Sequence, residues 1–262
     1  MTITLYGSQI STFSRKIAVA LALKELPFEY VDALTKDMRG TLREANPRIE
    51  VPVLFDDGIT IINSSDIIQY LDQKYPERPL LPVAIADRVV TRAFERLADH
   101  RFDPIVVDCS YWHWAERDDT PPDGLLKAAE SDLDIVFDRL EAMLRERPKP
   151  WPFGAPGVVE CAWFPNLAAM RTFGLSLDAN RFANAVAWFK AIRNHHAFAA
   201  DAQKTAAFLK EGRHLDHERR KLFWSGDRLE WLLSRGFHNW FLGEIEAGRT
   251  AFPESSSFSA TR

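Results

Sequence analysis

Three short segments in the N-terminal quarter of the chain carry the groups that could do chemistry. Ser11-Thr12-Phe13-Ser14 opens the first long helical pattern directly after a strand-like start. Unpaired N–H groups and the helix dipole at such a terminus stabilise an anion, and a serine hydroxyl adds a further donor. A thiolate is an anion of that kind. Serine at this place is also the commonest plain N-cap, so Ser11 or Ser14 could do no more than that. Val51-Pro52 precedes a strand. In the cis form it would turn the N–H and C=O of Val51 outward, to pair with an extended peptide as an added strand does, although trans is the default for an X–Pro bond. Asn63-Ser64-Ser65-Asp66 begins another helix, whose N-terminus and Ser64 could grip a carboxylate or simply cap.

Further along, Tyr111, Trp112 and Trp114, with Phe102, could line an apolar pocket, or equally pack in a core or interface. His214 and His217, spaced i, i+3 beside Asp216, read as a solvated helix face, and no metal is expected. Cys109 and Cys161 are too few and too far apart for a disulfide framework or a zinc site, which fits a reducing compartment.

The elements that must position these groups follow from periodicity. Ile3 and Leu5 lie in a strand pattern; Ile17, Ala18, Ala20 and Leu21 repeat as a helix that Pro27 stops; Phe28 to Val31 is a second strand. Residues 38 to 45 form a short helix ending before Asn46-Pro47, because the residue before proline disfavours α geometry. Val53 to Phe55 and Ile59 to Ile62 pair across Asp57-Gly58, and a helix capped by Asn63 or Ser64 carries Ile67, Ile68 and Leu71 as far as Pro76. The order βαβαββα predicts a four-stranded mixed sheet with helices on it. Prolines 76, 79 and 82 mark a linker, and from Ile85 onward only helical periods occur, as in Leu133, Val136, Phe137, Leu140 and Leu144. The domains are therefore read as 1–78 (α/β), 79–84 (linker), 85–212 (all-helical) and 213–262 (a helical extension and Ser-rich tail). Leu222, Trp224, Leu229, Trp231 and Trp240 require the extension to pack on the pocket mouth, on a subunit interface or on a flank of the bundle, the flank being the plainest choice.

A chain of 262 residues with 46% hydrophobic residues has ample core for two modest domains. A net charge of −4 without a basic cluster argues against a nucleic acid partner, and no apolar run is long enough to span a membrane. Met1 to Tyr6 carries no secretory pattern, so a soluble cytoplasmic protein is expected.

The strings LYGSQISTFSRKIAVAL, NPRIEVPVL and INSSDIIQYL, in that order, resemble the N-terminal thioredoxin-like domain of the glutathione S-transferase superfamily, serine class. GVVECAWFP and AVAWFKAIRNHHAF resemble its later bundle helices, and the resemblance covers roughly residues 1–210. It implies a thioredoxin-like domain followed by the all-helical C-terminal domain of that family. It also implies that Ser11 is the catalytic hydroxyl and that glutathione is held by Ser14, Val51, the cis-proline Pro52, Asn63 and Ser64. The implied reaction is detoxification by attack of the glutathione thiolate on a small hydrophobic electrophile, held by Phe102, Tyr111, Trp112 and Trp114, in a homodimer without metal. Lowering a thiol pKa by about two units corresponds to roughly 2.7 kcal/mol of thiolate stabilisation, within reach of one hydroxyl and a helix terminus. A glutathione-dependent lyase, isomerase or dehalogenase is the alternative, and a non-catalytic binding protein of the same fold is another.

Three places depart from the family pattern. Ile49 and Glu50 stand where glycine and a basic or amide residue are usual, so Glu50 must face solvent or the site prefers another ligand. Asn63 replaces an acid or glutamine, and the capping box before a later helix is reduced to Gly157 and Glu160.

Overall fold

The structure, a computed structural model, describes residues 3–115, 117–216, 221–222 and 226–251; His217, Trp224 and the Ser-rich tail lie outside the described residues. Strand β1 (Ile3–Gly7) alternates strictly, with Ile3 and Leu5 turned into the core. Helix α1 (Thr12–Leu23) carries the chain across to β2 (Phe28–Asp32), which pairs parallel to β1 with Ile3 opposite Phe28. After the short α2 (Arg39–Ala45), strands β3 (Val53–Asp56) and β4 (Ile59–Ile62) form an antiparallel hairpin. Asp57 and Gly58 both take positive φ, 49° and 78°, which a tight hairpin turn demands and which these two residue types tolerate. The sheet order is β2-β1-β3-β4, and α1 packs beside α3 (Ser64–Lys74) through the fully buried Ile17, Leu21, Ile68 and Leu71. This is a thioredoxin-like domain, and the chain continues into a helical one.

There α4 (Ile85–Leu97) passes through a π-helical turn, Ala98–Phe102, into α5 (Asp103–Trp114). Helices α6 (Leu125–Arg145), α7 (Val158–Ala169), α8 (Ala183–Asn194) and α9 (His196–Lys210) complete the bundle. Helix α7 is apolar on every side, so it is the buried centre: it packs on α1 and α4, and Trp163 donates from Nε1 to the Phe94 carbonyl at 3.0 Å. An extension adds α10 (Gly226–Ser234) and α11 (His238–Glu246). Its Trp231 and Leu232 are buried, and Trp231 donates to Asp132 on α6 at 2.8 Å. Two features differ from the sequence expectation. The π turn interrupts a helix that reads as continuous, and two parallel two-residue strands, β5 (Lys221–Leu222) and β6 (Thr250–Ala251), occur where none was expected, because pairs that short leave no periodicity. Among the described residues no helix is long and apolar enough to cross a membrane.

The start of α7 explains the reduced capping box. The N–H of Gly157 donates to Glu160 Oε2 at 2.8 Å, and Trp188 donates to Oε1 at 2.9 Å, yet Gly157 has no side chain to answer. None would fit: a Cβ on Gly157 would lie 2.3 Å from the carbonyl oxygen of Leu80 in the linker, which already accepts the Val158 N–H at 3.2 Å. The carboxyl of Glu160 is fully enclosed, and burial pushes its pKa up to about 7 against the pull of those two donors. Gly157→Ser, the change that capping preference alone would favour, should therefore destabilise the fold by about 2 kcal/mol or more through overpacking, measured as a lowered midpoint in urea unfolding.

Candidate functional site

A cavity of about 540 Å³ opens between the N-terminus of α1, the segment before β3, the start of α3 and the α4–α5 helix. That volume suits a small ligand. Ser11, Val51, Pro52, Asn63, Ser64 and Trp114 all lie on its wall. Ser11 is the N-cap of α1, in extended geometry, and its Oγ accepts the Ser14 N–H at 3.2 Å. This bond uses only an oxygen lone pair, so capping leaves the hydroxyl hydrogen available to a second acceptor. The Val51–Pro52 peptide is cis. Asn63, the N-cap position of α3, has φ 68° and makes no side-chain cap bond; its amide donates instead to Asp66 at 3.1 Å. Ser64 Oγ accepts from Lys16 Nζ at 3.2 Å.

The other expected site residues are not on this wall. Ser14 is fully buried one turn further along α1, facing Gly7, where an added Cβ would lie 3.0 Å from the Ser14 Cβ. Phe102 is enclosed between Phe137 and Trp163, with ring centroids 5.3 and 5.4 Å away. Tyr111 and Trp112 lie under the Arg117 guanidinium, at 5.1 and 5.5 Å, and Trp112 meets Trp240 of α11 at 5.4 Å. These aromatics are packing for the bundle and for the extension. The apolar wall comes from the other face of α5, from Val106, Val107 and Trp114, with Ser110 among them.

Beneath the cavity a buried ionic network ties α1 to the α4–α5 helix. Lys16 Nζ lies 2.6 Å from Asp99 and 2.8 Å from Glu95, and all three side chains are buried. Ser65 donates to Glu95 at 3.0 Å, Arg92 adds a second cation to Glu95, and Thr12 donates to Asp103. Burial disfavours the Lys16 charge, but the two carboxylates outweigh it and hold its pKa above the ordinary value. Burial likewise opposes ionisation of Glu95, where Lys16 and Arg92 prevail and keep it low. At Asp99 burial wins, with Glu95 and Asp103 adding repulsion, and its carboxyl is raised. Asp99 is itself on the cavity wall.

Glu50 also reaches the cavity, so it does not simply face solvent. Arg48 clamps it in a bidentate fork, at 2.8 and 3.0 Å, and cancels its charge. Asn46 braces the same loop, donating to the Glu50 carbonyl at 3.0 Å and accepting the Arg48 N–H at 3.1 Å. Reasoning from sequence missed Arg39, Arg48, Asp99 and Arg228 on the wall. The one available signal was the four-residue stride of Glu95, Asp99 and Asp103, three acids on one face of the α4–α5 helix.

The family model for the glutathione S-transferase N-terminal domain matches residues 5–79. A probable maleylacetoacetate isomerase of Caenorhabditis elegans is 37% identical over 103 residues, 38% of this chain and 48% of that protein, so the chain spans about half the length of this relative. Glutathione S-transferase 1 of Dianthus caryophyllus is 26% identical over 213 residues, 80% of this chain and 95% of that protein. Among solved structures, maleylacetoacetate isomerase from Anaeromyxobacter dehalogenans, with bound glutathione, superposes with a TM-score of 0.61 at 26% identity, covering 76% of this chain and 94% of that one.

Replacing Lys16 by methionine leaves Glu95 and Asp99 without their shared cation. The expected cost is about 3–5 kcal/mol at neutral pH. Asp99, whose carboxyl is raised even with Lys16 beside it, would in the folded variant bind a proton still more readily than in the unfolded chain, so the deficit should shrink as pH falls towards 5, which urea unfolding at the two pH values would measure.

Proposed function

We propose that this chain, similar over residues 5–79 to the glutathione S-transferase N-terminal domain, is a glutathione-dependent enzyme of that superfamily in which Ser11 stabilises the thiolate. One observation carries this reading: the hydroxyl that opens α1 shares a cavity with the Val51–Pro52 segment and with the N-terminus of α3. Three parts of an extended tripeptide find matching chemistry there. The sulfur would accept the Ser11 hydroxyl hydrogen at the positive end of α1. The cysteinyl backbone would pair with Val51 as a strand edge pairs. The γ-glutamyl carboxylate would meet Ser64 and the N–H groups that start α3. The thiolate then attacks an electrophilic carbon lying against Val106, Val107 and Trp114 on the α5 wall; the new C–S bond takes the sulfur lone pair, and in a conjugation the leaving group departs with the electrons of its own bond.

A glutathione-dependent isomerase is the second reading, favoured by the isomerases among the relatives. There the same thiolate adds to the substrate and is expelled again, so glutathione is regenerated rather than consumed. Counting free thiol before and after turnover separates the two reactions.

We further propose a homodimer in the cytoplasm. Ile85 and Val89, one turn apart on α4, are 80% and 64% exposed, and Ile59 on β4 adds to the apolar surface. Cys109 and Cys161 are both buried and form no disulfide among the described residues, in keeping with a reducing compartment.

Ser11→Ala should raise the pKa of the bound glutathione thiol by about one to two units and lower kcat/KM at neutral pH by about 10²-fold, with glutathione affinity little changed; unchanged turnover and an unchanged thiol pKa would remove Ser11 from the mechanism. Val89→Asp should convert a dimer to a monomer in sedimentation equilibrium, because the charge would have to be buried at the interface.

A further inference from the structure

The C-terminal extension reaches the cavity, and Gly226 and Arg228 of α10 are part of its wall. Of the three positions open to the extension, this is the pocket mouth. Helix α10 packs on α5 and is tied as well to the π turn and to α6. His100 meets Asp227 at 2.7 Å, Arg101 meets Glu230 at 3.2 Å, and Arg235 joins Trp231 on Asp132.

Arg228 makes the contact that matters for the thiol site. Its Nη2 donates to Asp103 Oδ2 at 3.1 Å, with side-chain exposures of 11% and 2%. The other oxygen of that carboxylate accepts the hydroxyl of Thr12, the residue next to Ser11. A hydrogen-bonded chain thus runs from α10 through Asp103 to the first turn of α1. The pair is also oriented, since Arg228 stands on the cavity wall and Asp103 behind it, so the cavity sees the positive end.

The other charged groups on the wall are compensated by their own neighbours. Arg48 and Glu50 form a bidentate pair, Asp99 faces Lys16, and His100 faces Asp227; Arg39 belongs to α2, on the side of the sheet domain with Arg48. On the helical side, then, Arg228 with Asp103 behind it turns a positive end to the cavity, and it stands against Asp99, whose charge Lys16 balances from behind. In a partly water-excluded space an oriented guanidinium favours an anion far more than the same group does in bulk solvent.

We propose that Arg228 is a positioning residue of the thiol site: through Asp103 and Thr12 it fixes the N-terminus of α1, and from the cavity wall it adds a fixed positive charge that favours the thiolate. The inference rests on the glutathione reading above. It makes the extension a working part of the site, and the chain without it would hold glutathione but ionise it poorly.

The test uses the full chain with glutathione as the probe, following the ultraviolet absorbance of the bound thiolate against pH, with thermal unfolding of each variant recorded in parallel. Arg228→Gln keeps a donor for Asp103 but loses the charge, and should raise the bound thiol pKa by about one unit, a tenfold loss of thiolate at pH below that pKa and none well above it. Arg228→Lys should restore most of the ionisation. Should Arg228→Gln not fold, Thr12→Val breaks the same chain at its other end and should raise the pKa in the same direction by a smaller amount. A bound thiol pKa that stays at the wild-type value in Arg228→Gln, or in Thr12→Val, whatever happens to the melting temperature, overturns the proposal. Ser11→Ala tells the two levels apart. If the wild-type chain forms a thiolate that is lost in Ser11→Ala but kept in Arg228→Gln, the extension's part alone falls; if the wild-type chain forms none, both readings fall.

Discussion

The ammonium of Lys16, enclosed by Asp99, Glu95 and Ser64, is the contact on which the arrangement of the site depends. It joins three elements that share no strand: α1, the start of α3 and the α4–α5 helix. Two carboxylates and an ammonium cannot be withdrawn from water at tolerable cost unless each meets its opposite at close range. Their geometry is therefore tightly constrained, and with it the placing of Ser11 on α1 relative to Ser64 on α3. The π turn fits this requirement. An α-helix drifts by about 40° for every four residues, so Glu95, Asp99 and Asp103 would rotate away from α1 along a regular helix. The wider turn, in which the Asp103 N–H reaches back to the Ala98 carbonyl, takes back part of that rotation, and all three acids meet partners from α1 or α3.

Local rules wrote the sheet domain plainly into the sequence. Prolines end its helices, Asp57-Gly58 makes its hairpin, alternation marks β1, and the Ser11 cap lies where its residue type predicts. The groups on the cavity wall drawn from these segments were legible for the same reason, since each sits at the end of an element whose end could be read. Ser14 was harder. Four residues of STFS wind through a full helical turn, and only packing against Gly7 and Tyr30 shows which of the two hydroxyls turns inward.

The helical half was legible as helices but not as a site. Periodicity marks the apolar face of a helix without saying what covers it. Tyr111, Trp112 and Trp114 are neighbours in sequence, yet successive helical positions point about 100° apart. Only Trp114 reaches the cavity, while Tyr111 and Trp112 turn towards Arg117 and the extension. The extension's own position depends on Asp132, more than ninety residues earlier, where Trp231 and Arg235 both bind. Contacts that distant leave no local pattern, and Arg228 could not be connected with Asp103 from spacing alone.

The departure at Ile49 and Glu50 illustrates how a foreign residue is accommodated at a site of this kind. Ile49 holds φ 57°, where a β-branched side chain is sterically strained by about 1–3 kcal/mol and glycine would not be. Its side chain is partly buried against the small cluster of Ala33, Leu42 and Val53, and that apolar contact offsets strain of the same order. Glycine would relieve the backbone and forfeit the contact, so neither residue holds a clear advantage in stability. The loop is moreover held by bonds that do not depend on residue 49: Asn46 braces both sides of it, and Arg48 fastens Glu50. With its shape fixed in this way, the pair at 48 and 50 presents a self-neutralised surface to the cavity rather than a bare carboxylate. The charge that sequence alone places against an anionic ligand is thus answered two residues away, by a cation that the same tight turn brings back alongside it.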